Sequence, residues 1–386
     1  MKRTRFFQIF SLVSCFLLAA SAVFAQPGEG RGVNFADFSY TVSPTRTVEL
    51  DVVKQLIDTS EFKEFFDALT AKIDEEYVKA SNQPSFPAAV TNPILDKVRE
   101  AKGKTEISSK DVIELFFSEV ELIQLEAYLK KAYDAGATEK NNPEIGKYVR
   151  LTVVTKFSPA ELAAVLDILK PFIAIDMIKA EENDFLVSFC DPSNSEIKIF
   201  IGGRNIEELG NYVTVFSFSR ELVEQRLNMI QNERGRRFML GENTPAESLR
   251  LGGGVFDVVK AEIQKKIDAG ETKEKDTLRI IEQVNNFSLV TRDFNGKTGS
   301  RARLALNSEQ AANDLKDMAE ASKAILRFMA GSDSVDANAR ALFDLLLNTE
   351  IERDGQNLAA TINWSNDGLI QITKDVLKNM TADIKK

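Results

Sequence analysis

Apolar residues recur every three or four positions in the segment that follows residue 50, a spacing typical of amphipathic helices. The pattern predicts helices over Asp51–Ile57 and 60–77. Their apolar positions are Leu56, Phe62, Phe65, Phe66, Leu69 and Ile73. A proline-punctuated stretch over 81–93 predicts a loop, and a further helix is expected at about 94–102. We therefore expect a mainly helical N-terminal portion over 47–147.

The later part of this portion contains one helix start and one ambiguous run. Ser108-Ser109-Lys110-Asp111 precedes an apolar run, as expected of a capped helix N-terminus. The run 122–135 fits either a helix or a strand that leads into a helix, and the pattern alone leaves both open. Asn141-Asn142-Pro143 marks the end of the portion.

Beyond residue 147 the pattern changes to alternating strands that run directly into capped helices. This sequence of a strand, a Ser or Asn cap and a helix occurs four times. The predicted strands are 148–157, 212–218, 301–306 and 357–364, and their caps are Ser158, Ser219, Asn307-Ser308 and Ser365. Two hairpins are also predicted, one joining 185–190 to 196–201 and the other joining 286–294 to 300–306.

These elements form two similar groups, which we interpret as modules of a diverged internal duplication. The first module covers 148–232 and the second covers 278–386, with a Gly/Arg-rich crossing and a charged helix over 233–277 between them. Two unrelated domains that share the same cap chemistry would give the same pattern. The predicted fold class is α+β: a mainly helical N-terminal portion followed by two related sheet-plus-helix modules.

The first 25 residues form a basic start, an apolar run and small residues before Gln26, which is the pattern of a secretory signal peptide. We expect cleavage after Ala25, an extended leader over 26–46, and an exported protein that is periplasmic or secreted. A membrane anchor and a lipoprotein that begins at Cys15 are the alternatives. No stable membrane insertion is expected after cleavage.

Charge and composition then exclude several kinds of function. Cleavage removes Lys2, Arg3 and Arg5 and takes the formal charge from −9 to −12, so nucleic acid is not expected as a partner. The chain contains no histidine, and its mature form retains a single cysteine, Cys190. Histidine-based catalytic triads, zinc sites and cysteine redox pairs are therefore excluded, and we expect no cofactor and no metal.

The strongest candidate site lies at the crossing between the modules. Gly252, Gly253 and Gly254 precede a helix pattern, and a glycine-rich helix N-terminus exposes backbone amides to anions. Four arginines stand upstream of them: Arg234, Arg236, Arg237 and Arg250. Together they predict an anion-binding site for a phosphate, a sulfate or an acidic glycan. Solvated arginines on a flexible crossing are the alternative, since the segment carries no nucleotide-binding motif.

Other residues suggest chemistry more weakly. Two acidic clusters precede strands, where paired carboxylates could serve a hydrolase or calcium, although solvated turns look the same. The clusters are Glu181, Glu182 and Asp184, and Glu350, Glu352 and Asp354. Cys190 in an apolar run is expected to be a small hydrophobic residue. Trp364, the single tryptophan, is expected in packing rather than in ligand stacking.

Two further segments carry a resemblance. The last predicted strand reads Asp354-Gly355-Gln356-Asn357-Leu358-Ala359-Ala360-Thr361-Ile362-Asn363-Trp364-Ser365, and an earlier segment reads Glu106-Ile107-Ser108-Ser109-Lys110-Asp111-Val112. In this layout the chain resembles uncharacterised exported α+β proteins of budding, compartmented bacteria, over about 35–380. The resemblance implies the fold and no activity.

These observations favour an exported, non-catalytic binding or envelope-associated scaffold protein. Its contact surface would be the outer faces of the sheets or a cleft between the modules, and its partner an envelope protein or a small ligand. A carboxylate-dependent hydrolase, or an anionic-ligand-binding protein that uses the arginine/triple-glycine junction, is the alternative. Lipid carriage between helices and sheet is allowed by the 26 phenylalanines but has no specific signal.

Overall fold

The computed structural model describes most of the chain from residue 36 onward. The described residues are 36–81, 103, 108–137, 143–156, 174–180, 184–191, 194–206, 210–231, 244–270, 274–294, 296–330, 343–364 and 367–385. The chain divides into two compact units. Unit 1 comprises 1–40 and 245–364, and unit 2 comprises 41–244 and 365–386. Both contain helices and an antiparallel sheet, so the predicted α+β class is confirmed.

The elements follow one another along the chain as a mixture of helices and strands. The first half contains β1 (Phe38–Val42), α1 (Pro44–Thr47), α2 (Asp51–Ile57), α3 (Ser60–Ser81), α4 (Ser109–Glu119), β2 (Val120–Ala127), α5 (Leu129–Asp134), a 3-10 helix (Pro143–Tyr148), β3 (Val149–Thr155), β4 (Ala174–Ala180) and β5 (Asp184–Asp191). The second half contains β6 (Asn194–Ile206), β7 (Asn211–Ser217), α6 (Arg220–Ile230), β8 (Glu247–Leu251), α7 (Gly253–Asp268), α8 (Glu274–Ile281), β9 (Val284–Phe294), β10 (Lys297–Leu306), α9 (Glu309–Ala330), β11 (Glu350–Asp354), β12 (Asn357–Asn363) and α10 (Asp367–Ile384).

In unit 2 the strands are arranged in the order β2-β3-β7-β6-β5-β4, and neighbouring strands are antiparallel. Helix α6 covers one side of this sheet. The buried core between them consists of Leu122, Val154, Leu186, Ile206, Val213, Val215, Val223, Leu227 and Ile230. Elsewhere in the unit α10 packs against α3, and Leu377 of α10 is fully buried.

Buried charges also join α6 to the sheet of unit 2. Arg150 of β3 donates to the Leu222 carbonyl at 3.0 Å, and its guanidinium pairs with Glu126 of β2. The same Glu126 carboxylate accepts from Arg226 of α6, which is completely buried. Burial lowers the pKa of Arg226 to about 9. One carboxylate is thus shared between two buried guanidinium groups.

A second arginine contact stands near the other end of α6. Arg204 of β6 pairs with Asp184 of β5 and donates to the Leu227 carbonyl of the helix. Asp184 was a candidate of the sequence analysis, within one of the two acidic clusters. Its carboxylate here serves as the partner of a buried structural arginine.

In unit 1 the strand order is β11-β12-β10-β9-β8-β1, and the neighbours from β11 to β8 are antiparallel. Part of one face of this sheet is apolar and packs against α9. The buried cluster contains Val284, Leu306, Ala311, Ala312 and Leu358, with Phe256 of α7 and Leu304, Leu315 and Ile351 packed against it. We call this side the leucine face.

Local cap and turn predictions are confirmed where the structure describes them. Ser108 and Asp111 form a reciprocal capping box at the start of α4. Ser219 accepts from the Leu222 amide, and Ser308 accepts from the Ala311 amide. Both predicted hairpins form, as β5–β6 and β9–β10. The run 122–135 was compatible with a helix or with a strand that leads into a helix. The structure shows the latter, with strand β2 followed by helix α5.

Several strands were not predicted. Strand β8 lies in the predicted glycine-rich crossing. Strand β11 lies where a turn before a strand was expected. It pairs with β12, and the turn between the two strands contains Gly355, whose φ is 56°. Strands β1 and β4 were also missed.

The signal peptide, the helix at 94–102 and the caps Ser158 and Ser365 lie outside the described residues. The internal duplication and the module boundaries stay predictions.

Candidate anion-binding face

The predicted glycine junction is the start of α7. Gly252 is the N-cap residue of this helix, and its amide donates to the Asp37 carbonyl at 2.6 Å. Gly253 and Gly254 form the first turn. Arg250 stands two residues before the cap, in β8. The other three arginines of the predicted site, Arg234, Arg236 and Arg237, lie outside the described residues. The site as predicted from the sequence therefore stays a prediction.

At this helix N-terminus the structure places a carboxylate of the chain itself. A Cβ atom added to Gly254 would lie 2.2 Å from Asp37 Oδ1. Only glycine at this position leaves room for the Asp37 carboxylate. Negative charge is favoured at a helix N-terminus, and the Asp37 carboxylate lies there beside Gly254. This internal contact accounts for the glycine at position 254.

Arg250 belongs instead to the side of the unit 1 sheet that is opposite to the leucine face. The strand register places four arginines on that side, which we call the arginine face. They are Arg250 of β8, Arg292 of β9, and Arg301 and Arg303 of β10. Residues directly opposite each other on paired strands share a face. Lys297 adds a fifth cation at the start of β10.

The arginine face has a strong excess of positive charge on its central strands. Among the described residues of β8, β9 and β10, the arginine face carries no Asp or Glu, because Glu247 and Asp293 point to the leucine face. Carboxylates appear on it only at β11, where Glu352 accepts from Arg301 at 2.5 Å. All four arginines are partly exposed.

Ser288 of β9 stands at the centre of the arginine face. In the register it is paired with Arg250 on one side and with Arg303 on the other. Its side chain is only 1% exposed, and its hydroxyl has no hydrogen-bond partner among the described residues. A buried hydroxyl without a partner is uncommon, because it costs about 1–3 kcal/mol. The Nε atom of Arg301 is likewise buried without a partner among these residues.

The local electrostatics of the face follow from partial burial. Desolvation lowers the pKa of the Arg250 guanidinium. Arg292 lies with its guanidinium carbon 4.9 Å from the centre of the Phe294 ring, a cation–π contact that fixes the direction of the side chain. These arginines are therefore held on the sheet rather than fully solvated.

A different polar row crosses the leucine face. Tyr40 donates to Glu247 at 2.8 Å, and Thr291 lies opposite Glu247 in the register. Thr291 and Ser300 are hydrogen-bonded at 2.9 Å, and the Trp364 indole donates to Ser300. Burial raises the pKa of Glu247 to about 8, although the Tyr40 hydrogen bond opposes this shift. The sequence analysis missed Glu247, since one acidic residue in a short strand gives no recognisable signal.

The remaining sequence candidates have structural roles or stay open. Trp364 packs and donates within unit 1, in agreement with the packing interpretation. Glu352 is the partner of Arg301, and Glu350 and Asp354 lie in β11. Cys190 lies in β5. Glu181 and Glu182 lie outside the described residues.

A groove of about 250 Å³ between α3 and α10 offers two carboxylates, but also two lysines. The groove is lined by Glu61, Glu64, Lys378, Thr381, Ala382 and Lys385. The pKa of Glu61 is lowered by a backbone hydrogen bond and, to a lesser extent, by Ser60 and Lys378. A carboxyl group that is held ionised is poorly suited to donate a proton.

Within the described ranges, no cluster of three or more Cys, Asp or Glu residues is placed to hold a metal ion. In that same part of the chain, no helix combines the length and the apolar character needed to cross a bilayer.

Comparison with known proteins identifies no family. No family model and no curated protein matches the chain. Among solved structures, crystal form I of TP0453 aligns at 11% identity and a TM-score of 0.32, covering 92% of this chain and 98% of that chain. Crystal form IV gives 11% identity and a TM-score of 0.34, with 92% and 97% covered. Likeness at this level supports no conclusion about the function of the chain. The resemblance to exported α+β proteins stays a prediction.

Proposed function

We propose that this is an exported, non-catalytic binding protein that takes an acidic glycan on the arginine face of unit 1. The observation that carries the proposal is the set of four partly exposed arginines on one face, with no carboxylate on the described residues of its three central strands. A local positive face in a chain of formal charge −9 is not explained by overall composition. Export is supported by the predicted signal peptide.

The position of the arginines favours a glycan over other polyanions. Peptides usually add to the free edge of a sheet, whereas β8, β9 and β10 each have a partner strand on both sides. Single-stranded nucleic acid needs aromatic rings on which bases stack, and the ring of Phe294 on this face is engaged by Arg292. An acidic glycan requires only guanidinium groups that bind oxyanions in a bidentate manner.

Retention on immobilised heparin tests the proposal, with a salt gradient for elution. An acidic protein should be retained only through a localised positive face, and retention should weaken with salt. The variant R250Q/R292Q/R301Q/R303Q should elute at much lower salt. The matched control R46Q/R220Q/R279Q/R327Q removes the same charge from four exposed arginines elsewhere and should elute like the parent.

Fluorescence of Trp364 checks that unit 1 of each variant remains folded. Equal loss of retention in both variants would show that net charge alone governs binding and would refute the proposal. Tighter retention on immobilised single-stranded DNA or polyglutamate than on heparin would refute the choice of a glycan.

A further inference from the structure

We propose that Ser288, Arg250 and Arg303 form a binding site for one tetrahedral oxyanion, the phosphate or sulfate group of the ligand. The inference rests on the proposed function and deepens it, since it names the group that the arginine face recognises. It begins from the unpartnered hydroxyl of Ser288, which is buried between two arginines in the strand register.

The spacing of the strands suits a single anion. Neighbouring strands lie about 4.8 Å apart, so the arginines on either side of β9 rise from the sheet about 10 Å from each other. Arginine side chains are long enough for both guanidinium groups to meet above the residue between them. That residue is Ser288, whose hydroxyl points to the same side. In this arrangement the three groups would surround a single anion above Ser288.

The donors at this position match a phosphate or sulfate group better than a carboxylate. Each guanidinium can donate two parallel hydrogen bonds, and the serine hydroxyl can donate one. A tetrahedral oxyanion directs its oxygens in several directions and can meet both guanidinium groups and the hydroxyl together. A carboxylate directs its two oxygens within one plane, so it can align with one guanidinium in a bidentate manner but meets two guanidinium groups and the hydroxyl together less well. The bound anion would also supply the acceptor that Ser288 lacks.

Residues on the same face provide internal comparisons. Arg292 and Ser248 lie on the arginine face but in other rows of the register, opposite Gly299 and Val290. They share the strands and the general potential of the site without standing beside Ser288. A specific site at Ser288 should therefore be sensitive to changes at Arg250 and Arg303 and tolerant of changes at Arg292 and Ser248.

Calorimetric titration of the full chain with inorganic phosphate tests the site. S288A should weaken binding about tenfold, as expected for a lost hydrogen bond to a charged group. R250Q and R303Q should each weaken binding at least about tenfold. S248A should leave binding unchanged, and R292Q should change it less than about threefold. Sulfate should bind comparably to phosphate, and acetate much more weakly.

The stability of S288A distinguishes a binding role from a structural one. Because the hydroxyl has no partner, its removal should leave the unfolding midpoint unchanged or raise it. A variant that binds weakly while folding at least as stably has lost a ligand contact. Equal phosphate affinity in S288A and S248A, or equal binding of acetate and phosphate, would overturn the inference. If the phosphate site is overturned in this way but heparin retention still depends on the four arginines, the proposed function stands without the site. If heparin retention does not depend on them either, the proposed function and the phosphate site are both refuted.

Discussion

Glu247 makes the stability of unit 1 depend on pH in the direction opposite to that of an ordinary paired carboxylate. Its side chain is 3% exposed, and burial raises its pKa from 4.5 to about 8. The folded protein therefore keeps the proton between these values, whereas the unfolded chain releases it. The contribution of Glu247 to the free energy of unfolding should be fully present below pH 4.5. It should decrease as the pH rises from 4.5 and be lost once the pH has passed 8.

The size of the effect follows from the same two pKa values. Between pH 6 and pH 9 the contribution of Glu247 should fall by about 3 kcal/mol. E247Q keeps an acceptor for Tyr40 but cannot ionise, so the free energy of unfolding of the variant should lose this dependence. Urea unfolding at pH 6, 7.5 and 9, followed by Trp364 fluorescence, measures it. Trp364 is the single tryptophan and belongs to unit 1, so the signal reports on the unit that contains Glu247.

A surface carboxylate provides the control for this experiment. Glu282 is exposed in the same unit, and E282Q should retain the pH dependence of the parent. The reasoning is wrong if E247Q retains the parent's slope, or if the parent shows no loss of stability between pH 6 and pH 9. It is equally wrong if E282Q abolishes the slope, since a general surface effect would then be responsible.

Three further predictions concern packing and buried charge. G254A should destabilise unit 1 by about 1–3 kcal/mol, because its new Cβ would overlap the Asp37 carboxylate, and adding D37A should recover part of the loss in thermal unfolding. L377A should cost unit 2 about 2–5 kcal/mol in chemical denaturation, whereas V376A, at a half-exposed neighbour, should cost under about 1 kcal/mol. E126Q should cost about 3–5 kcal/mol, because it leaves two buried guanidinium groups without their carboxylate; an unfolding midpoint equal to that of the parent would contradict this.

Local signals in the sequence predicted caps and turns well because they involve only neighbouring residues. The capping box of Ser108 and the cap at Ser219 require contacts within three positions along the chain. The β9–β10 turn depends similarly on local chemistry, since Gly296 has a φ of 78°. Such features need no knowledge of distant partners and can be read from one sequence.

Short strands without an apolar alternation escaped prediction. Strand β11 reads Glu-Ile-Glu-Arg-Asp and stands last in the strand order, where one partner strand suffices. Strand β8 has five residues and runs into the glycines of the next helix, so its composition indicated a loop. In both cases the strand is stabilised by pairing with a neighbour, which propensity does not reveal.

The arginines of the candidate site could not be grouped from the sequence, because strand pairing between distant segments brings them together. Arg250 was singled out from the sequence because it stands near three glycines and three other arginines. In the structure Gly254 packs against the Asp37 carboxylate, and Arg250 stands in a row with Ser288 and Arg303, 38 and 53 positions further along the chain. Antiparallel register determines which residues share a face, and a shift of one residue would exchange the two faces.

The arginine face is therefore a consequence of how β8, β9 and β10 pair. Their alternate residues supply the leucine face, where Val284 and Leu306 belong to the buried cluster that includes α9 and Leu304 packs against it, and burial of this face specifies the register. Once the leucines are buried, the residues between them must lie on the other side, whatever their charge. Repulsion between arginines on neighbouring strands opposes this arrangement, and Glu352 of β11 reduces it by accepting from Arg301. An oxyanion bound over Ser288 would remove the repulsion and the unmet hydrogen bond together, so the ligand should raise the thermal midpoint of unit 1 in the parent and not in S288A.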